Sequence, residues 1–222
     1  MWELMSLGDG EPDTVRASRL ETLFFIFPSQ DTSMQHACLT YISYEDYLAY
    51  EQRSGDKHEY VAGQIYAMVG TTDRHNLIAL NIASYVRTQL RGSPCRVFMS
   101  DVKVRIEVAD ASYYPDVFVT CDGRDQDPYV KYHPCLVVEV LSPSTEGTDR
   151  REKLLNYRKL DSLQEYVLVD SDRQRIEVYR READGGWTVD TLSGGDEVLE
   201  LDSVAVTLPL AEVYAEVTVR EG

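Results

Sequence analysis

Two short apolar runs constrain this chain more than anything else in it. Asp116 follows Pro115 and opens Asp116-Val117-Phe118-Val119-Thr120, and Glu139 lies inside Leu136-Val137-Val138-Glu139-Val140-Leu141. Both read as β-branched strands of the fully buried kind. A carboxylate in such a strand is rarely left without a partner, because desolvating its charge is expensive. The simpler account pairs each acid with an Arg or Lys, and for one isolated strand acid that account is favoured. Two such strands in succession raise a different idea: the carboxylates meet and share a cation. A hard divalent ion such as magnesium takes one or two carboxylates and keeps several waters.

The rest of the chain places those strands in a fold. Ser43 with Asp46 resembles a capping box for a helix reaching about Arg53. Residues 56–60 suit a short helical turn. Glu59 to Met68 reads as a hairpin turning near Gly63. His75 to Leu90 has helical spacing and is stopped by Gly92 and Pro94. Val97 to Val108 reads as one strand, and Asp110-Ala111-Ser112 as a turn. A polar loop, Asp122 to Tyr132, separates the two acid-bearing strands. Ser142-Pro143-Ser144 breaks the second of them. Asp149 with Glu152 marks a helix start, and that helix runs to about Leu160. Glu165 to Asp170 is a strand, Ile176–Arg181 and Trp187–Leu192 a hairpin, and Leu208 to Val217 a short helix. This order predicts an α/β chain: one mixed sheet with helices on its faces. Residues 1–38 carry Gly8, Gly10, Pro12 and Pro28 among scattered acids with no sustained period. They read as a disordered N-terminal extension, with Met34 as an alternative start. Residues 39–222 then form one domain.

Charge and cysteines narrow the classes. The 222 residues carry a net charge of −16, which argues against tight, non-specific binding to nucleic acid. Asp149 to Lys159 is locally different, with Arg150, Arg151, Lys153, Arg158 and Lys159 against Asp149 and Glu152. No apolar stretch approaches the roughly 18 residues that cross a bilayer. Leu23-Phe24-Phe25-Ile26-Phe27 is too short and is not read as a signal peptide. Cys38, Cys95, Cys121 and Cys135 form no CxxC pair. Together with His36, His58, His75 and His133 they complete no zinc pattern. Cys121 and Cys135 fall at strand ends and read as small buried thiols. A reducing cytoplasm, away from any membrane, is the simplest setting.

Around the two acids, three further side chains are candidates. A one-metal phosphodiesterase site wants two carboxylates on the ion and a Lys that orients water or stabilises negative charge. The simplest place for that Lys is two residues after the Glu, on the same strand face. Leu141 stands there instead. Lys153 is the substitute, since Asp149, Lys153 and Asn156 or Tyr157 share one face of the following helix. A solvated lysine is the structural alternative. Glu59, just before the hairpin, is a candidate outer metal ligand, or else a surface charge. His75 opens a helix, where a lone His is more often a cap or a hydrogen-bonder than a base.

These pieces together resemble a known family. Glu59-Tyr60 with Gly63-Gln64-Ile65-Tyr66-Ala67-Met68, His75-Asn76, Tyr114-Pro115-Asp116-Val117, Val138 through Thr145, Asp149-Arg150 with Lys153 and Tyr157, and Gln164-Glu165-Tyr166 are similar to the Uma-two family. It lies within the PD-(D/E)XK nuclease superfamily. The resemblance spans about residues 41 to 217. It implies a restriction-endonuclease-like core and magnesium-dependent cleavage of DNA phosphodiesters, with manganese as a substitute ion. Asp116 and Glu139 match the two metal acids, and Lys153 matches a lysine moved to the next helix. Asp149, His75 and Tyr157 are accessory candidates. A homodimer would suit cleavage of both strands of a duplex. The rival reading is an inactive nuclease-fold module that retains interactions or DNA association; the −16 charge and Leu141 favour it.

Overall fold

In the computed structural model, residues 41–219 are described, except Ser144 and Gly195. The expected extension, residues 1–38, lies outside them. Helix α1 (Tyr44–Glu51) starts as its sequence predicts. The Ser43 hydroxyl accepts from the Asp46 amide at 3.1 Å and donates to its carboxylate at 2.7 Å. The hairpin β1 (His58–Val61) and β2 (Gln64–Ala67) follows. Its two turn residues, Ala62 and Gly63, both have positive φ, as a tight hairpin with native twist requires. A Cβ on Gly63 would sit 2.1 Å from the Tyr41 ring, so glycine is needed there for space as well. The helical turn expected at 56–60 is absent; its end pairs into β1.

Helix α2 (Asp73–Gln89) begins at Thr72, whose hydroxyl accepts from the His75 amide. Next come β3 (Arg96–Met99), β4 (Lys103–Ile106), β5 (Ala111–Tyr113), β6 (Val117–Thr120), β7 (Val130–Lys131) and β8 (Leu136–Leu141). The single strand expected over 97–108 is two strands in two sheets. The chain breaks at Ser100, which has φ +33° and donates its amide to Pro115 O at 3.0 Å. The turn expected at 110–112 contributes only Asp110, in the left-handed region. Ala111 onward is strand.

After β8 comes a helical segment of three parts: α3 (Glu146–Thr148), a π-helical turn (Asp149–Lys153) and α4 (Leu154–Tyr157). It begins one turn earlier than Asp149, because Ser142 O accepts from both Thr145 N and Glu146 N. Then follow β9 (Glu165–Asp170), β10 (Ile176–Arg181), β11 (Trp187–Leu192), β12 (Val198–Leu201), β13 (Val206–Pro209) and α5 (Leu210–Val213). The helix expected at 208–217 is mostly not helix. Val206 and Leu208 alternate inward as β13, and only 210–213 coil.

Among the described residues the strands form three sheets and not one. A six-stranded sheet runs β11-β10-β9-β8-β6-β3, a five-stranded sheet β2-β1-β5-β4-β7, and β12-β13 is a hairpin. Both larger sheets are mixed, with β8–β9 and β4–β7 parallel. The six-stranded sheet is apolar on both faces, which explains the unbroken hydrophobicity of its central strands. One face carries Val117, Val119, Val138, Val140 and Val167 against Ile78, Ile82 and Val86 of α2 and the C-terminal hairpin. The other carries Phe118, Val137, Leu141, Tyr166 and Leu168 against Leu154 and Tyr157 of α4 and Val104 and Tyr113 of β4–β5. Alternation puts Glu139 on this second face, with Val137 and Leu141.

The cysteines depart from the expected free thiols. Cys95 and Cys121 form a disulfide between the chain segments flanking β3 and β6. Cys135 is a free, half-buried thiol, with its Sγ 3.7 Å from that of Cys121. Burial pushes the Cys135 thiol up to about 11. No helix among the described residues is long and apolar enough to cross a membrane.

Candidate active site

Sheet register brings the two strand acids together. Val117 pairs with Val138 in the antiparallel β6–β8 ladder. Continuing by one residue sets Asp116 opposite Glu139, on the same face. The link is direct: the Asp116 amide donates to Glu139 Oε2 at 3.3 Å, and the Val140 amide donates to Asp116 Oδ2 at 2.7 Å. His75, at the first turn of α2, places Nε2 2.9 Å from Asp116 Oδ1. It holds that carboxylate in place from the side.

Lys153 arrives from the helical segment and ends among three carboxylates. Its Nζ lies 3.0 Å from Glu59 Oε1, 3.3 Å from Glu139 Oε1 and 3.3 Å from Asp149 Oδ1. The three acids come from β1, β8 and the π turn. Glu59 is a strand residue whose Oε1 also accepts from the Tyr114 amide at 3.3 Å. The π turn matters for this convergence. It adds a residue to one helical turn, and both Asp149 and Lys153 of that turn are buried against the sheet. Tyr166 of β9 fixes it by donating to Asp149 O at 3.0 Å. Leu141, where a strand lysine would stand, packs in the apolar cluster on this face.

Electrostatically the cluster lacks positive charge. Lys153 faces Glu59, Glu139 and Asp149, with Asp116 beside them. Burial pushes Glu139 well above the usual carboxylate range; Lys153 opposes this, while Asp149, Asp116 and Glu59 add to it. Burial likewise raises Glu59 and Asp149. Lys153 is held well above its ordinary value, because the three carboxylates outweigh the cost of burying the ammonium. Asp149 Oδ1 has the Lys153 ammonium at 3.3 Å, and His75 Nδ1 is buried without a hydrogen-bond partner among the described residues. A divalent cation would supply the missing charge. Among the described residues no three His, Cys, Asp or Glu side chains stand at metal-cluster spacing. An ion here would be held by the Asp116–Glu139 pair, with water completing its shell.

Three aromatic residues enclose the cluster. Tyr157 lies between Tyr113 and Tyr166, with ring centroids 5.4 Å away on each side. Its hydroxyl is buried without a hydrogen-bond partner among the described residues. Tyr113 OH donates to Glu152 at 3.1 Å and accepts from Asn156 at 2.7 Å. The structure thus assembles Asp116, Glu139, Lys153, Glu59, His75, Asp149 and Tyr157 in one place. Sequence reasoning missed Tyr113 and Tyr166 as its walls. Their signal was weak: each is a single tyrosine in a strand, where packing alone explains it. A cavity of about 350 Å³ opens beside the cluster, lined in part by Glu59, Asp149, Glu152 and Lys153.

A mixed sheet with paired acids on adjacent strands and a lysine from the next helix defines a nuclease-like class of protein. Residues 44–211 match the family model Uma2, described as "Putative restriction endonuclease", and the chain belongs to that family. Two relatives come from Synechocystis sp., both named only as uncharacterized proteins. One, slr1290, is 40% identical over 175 residues, covering 78% of this chain and 91% of its own length. The other, sll1609, is 29% identical over 164 residues, covering 72% and 93%. Among solved structures, a protein of Anabaena variabilis described as "a putative nuclease belonging to DUF820" matches with a TM-score of 0.65. It is 20% identical and covers 78% of this chain and 98% of its own; that likeness supports the fold.

Proposed function

We propose that this chain is a magnesium-dependent endonuclease that hydrolyses DNA phosphodiester bonds, with manganese able to replace magnesium. The observation that carries this reading is the convergence of Lys153 on Glu139 at 3.3 Å, with Asp116 linked to the same glutamate. Asp116 and Glu139 would hold the ion, and Glu59 would serve as an outer ligand. When bound, the ion supplies Lewis-acid polarisation of the phosphate and a more acidic water. Lys153 supplies a fixed positive charge where the attacking oxygen and the transition state are negative. His75 orients Asp116, and Tyr157 with its neighbours keeps the floor of the site dry.

The second reading is an inactive nuclease-fold module. One observation favours it: Lys153 already has three carboxylate partners within 3.3 Å, so the cluster can be read as a closed buried ion network. A cleavage assay with and without magnesium on plasmid, linear duplex and single-stranded DNA separates the two. Magnesium-dependent products that vanish on chelation support the enzyme. Intact DNA under saturating metal, with the protein folded, supports the module.

A further inference from the structure

Tyr66 lies directly across the β1–β2 hairpin from Glu59. Residues opposite one another in an antiparallel pair project from the same face, with Cβ atoms about 4.5–5.5 Å apart. Glu59 reaches Lys153 at 3.0 Å. The Tyr66 ring therefore stands at the edge of the carboxylate cluster, and it is 52% exposed although it is a large aromatic. β2 is an edge strand of its sheet, so nothing beyond it among the described strands pairs over this ring. Val61, Ala67, Met68 and Val69 continue the same wall of the cavity. Val69 is also exposed.

The chemistry of that wall is uneven. One side of the cavity is apolar and aromatic. The other carries Glu59, Asp149, Glu152 and Lys153, and Lys153 is already matched by three acids. No arginine lines it among the described residues. Proteins that grip a duplex do so with Lys and Arg on successive phosphates. Proteins that take single strands combine a basic groove along the backbone with aromatic side chains on which bases stack, and of those two elements this cavity offers the aromatic one. At about 350 Å³ the cavity is near the lower end of the roughly 300–1,000 Å³ of ligand pockets. That suits one nucleotide-sized group and not two paired strands.

We infer that Tyr66 is a stacking platform for an unpaired nucleobase, and that the substrate enters this site as a DNA single strand, such as a flap, a loop or a frayed end. The inference rests on the nuclease reading above and deepens it. Tyr66 is then a specificity-determining residue that docks the base beside the bond to be cut. The neighbouring apolar residues exclude water from the stacked face.

The test uses the full chain with calcium in place of magnesium, so that binding is read without turnover. Oligodeoxynucleotides of one sequence, single-stranded and as duplex, are titrated by fluorescence anisotropy. A 2-aminopurine base in the single strand reports stacking by quenching. The expected result is tighter binding of the single strand than of the duplex. Tyr66→Ala should weaken single-strand binding about tenfold and abolish the quenching. Tyr66→Phe should keep both, because the ring stacks and the hydroxyl does not. Circular dichroism melts check that both variants fold. Preference for the duplex overturns the inference, as does single-strand binding unaffected by Tyr66→Ala. Loss in Tyr66→Phe equal to that in Tyr66→Ala overturns it too, since a hydrogen bond would then explain the effect. In each of these cases magnesium-dependent cutting of duplex DNA would leave the nuclease reading standing. If the wild-type chain neither binds nor cuts any DNA, both readings fall together.

Discussion

Lys153 carries the most weight of any single residue. Among the described residues it is the cation that faces the buried Glu139 and Asp149 and the half-buried Glu59, so two consequences of its removal separate cleanly. In metal-free protein, Lys153→Ala leaves the acids uncompensated, and breaking a buried pair in this way costs about 3–5 kcal/mol. Denaturant melts should show that loss, and saturating magnesium should restore part of it. Cleavage should fall by roughly 10²–10³-fold even with metal bound, because the ammonium acts on charge developing in the transition state. Wild-type cleavage by a folded Lys153→Ala protein would remove the lysine from the chemistry. Leu141→Lys in that background tests whether only the position of the amine matters; recovery of part of the rate is the expected outcome. Asp116 makes a complementary prediction. Asp116→Asn keeps an oxygen that can accept from the Val140 amide, which now binds at 2.7 Å, but lowers the charge offered to an ion. Calorimetry should show magnesium affinity reduced roughly tenfold or more, with metal-free stability unchanged or raised. Unchanged affinity with a large loss of stability would make Asp116 a structural residue only.

At the scale of elements, the π turn is fastened to the six-stranded sheet by an ion pair. Arg150 donates to Glu146 at 2.8 Å and also pairs with Glu177 of β10. Glu177 further accepts from Arg175 and Tyr179. Burial alone would raise Glu177, but the bonds and charge of Arg150, with Arg175 and Tyr179, outweigh it and hold the carboxyl below its usual value. The sign follows by linkage. A depressed folded-state pKa contributes stability above the unfolded-state value, about 4.3 for Glu, and loses it as pH falls through the folded-state value. Glu177→Gln should therefore lower the unfolding temperature at pH 7 and make little difference near pH 2. An equal effect at both pH values would assign the loss to packing. The same turn marks where sequence patterns stop being informative. Helical spacing grouped Asp149, Lys153 and Asn156 or Tyr157, and all four are buried, because burial of one face imposes that period whatever the local winding. It could not show the π turn, since the extra residue leaves no signature in residue type. Strand alternation placed Glu139 with Val137 and Leu141 for the same reason. The break at Ser100 was hard to see, because Phe98, Val102, Val104 and Ile106 all fall on alternate residues and so keep an apolar rhythm across the change of sheet.

For the molecule as a whole, the −16 charge limits how DNA can be held, and the structure redistributes the cations that the 149–159 segment offers. The sequence suggests a basic face there, but its members have unequal freedom. Arg150 is engaged by Glu146 and Glu177. Arg158 lies over the Trp187 ring at 5.3 Å, and Lys159 donates to Asn156 at 3.0 Å. Arg151 is exposed. Few phosphate contacts are then available, and the affinity for DNA should depend only weakly on salt. Each neutralised phosphate contributes about 0.7 to the log–log slope for a single strand and about 0.9 for a duplex. Arg151→Gln should flatten the slope by about one such contact and leave the unfolding transition in place, since an exposed charge contributes little to stability. Arg150→Gln should do the reverse: it should lower stability through the lost pair with Glu177 and leave the slope nearly unchanged. Anisotropy titrations with calcium from low to moderate salt, beside thermal melts of both variants, read the two effects independently. If Arg150→Gln flattens the slope as much as Arg151→Gln does, Arg150 reaches phosphate, and its pairing with Glu177 must open when DNA binds.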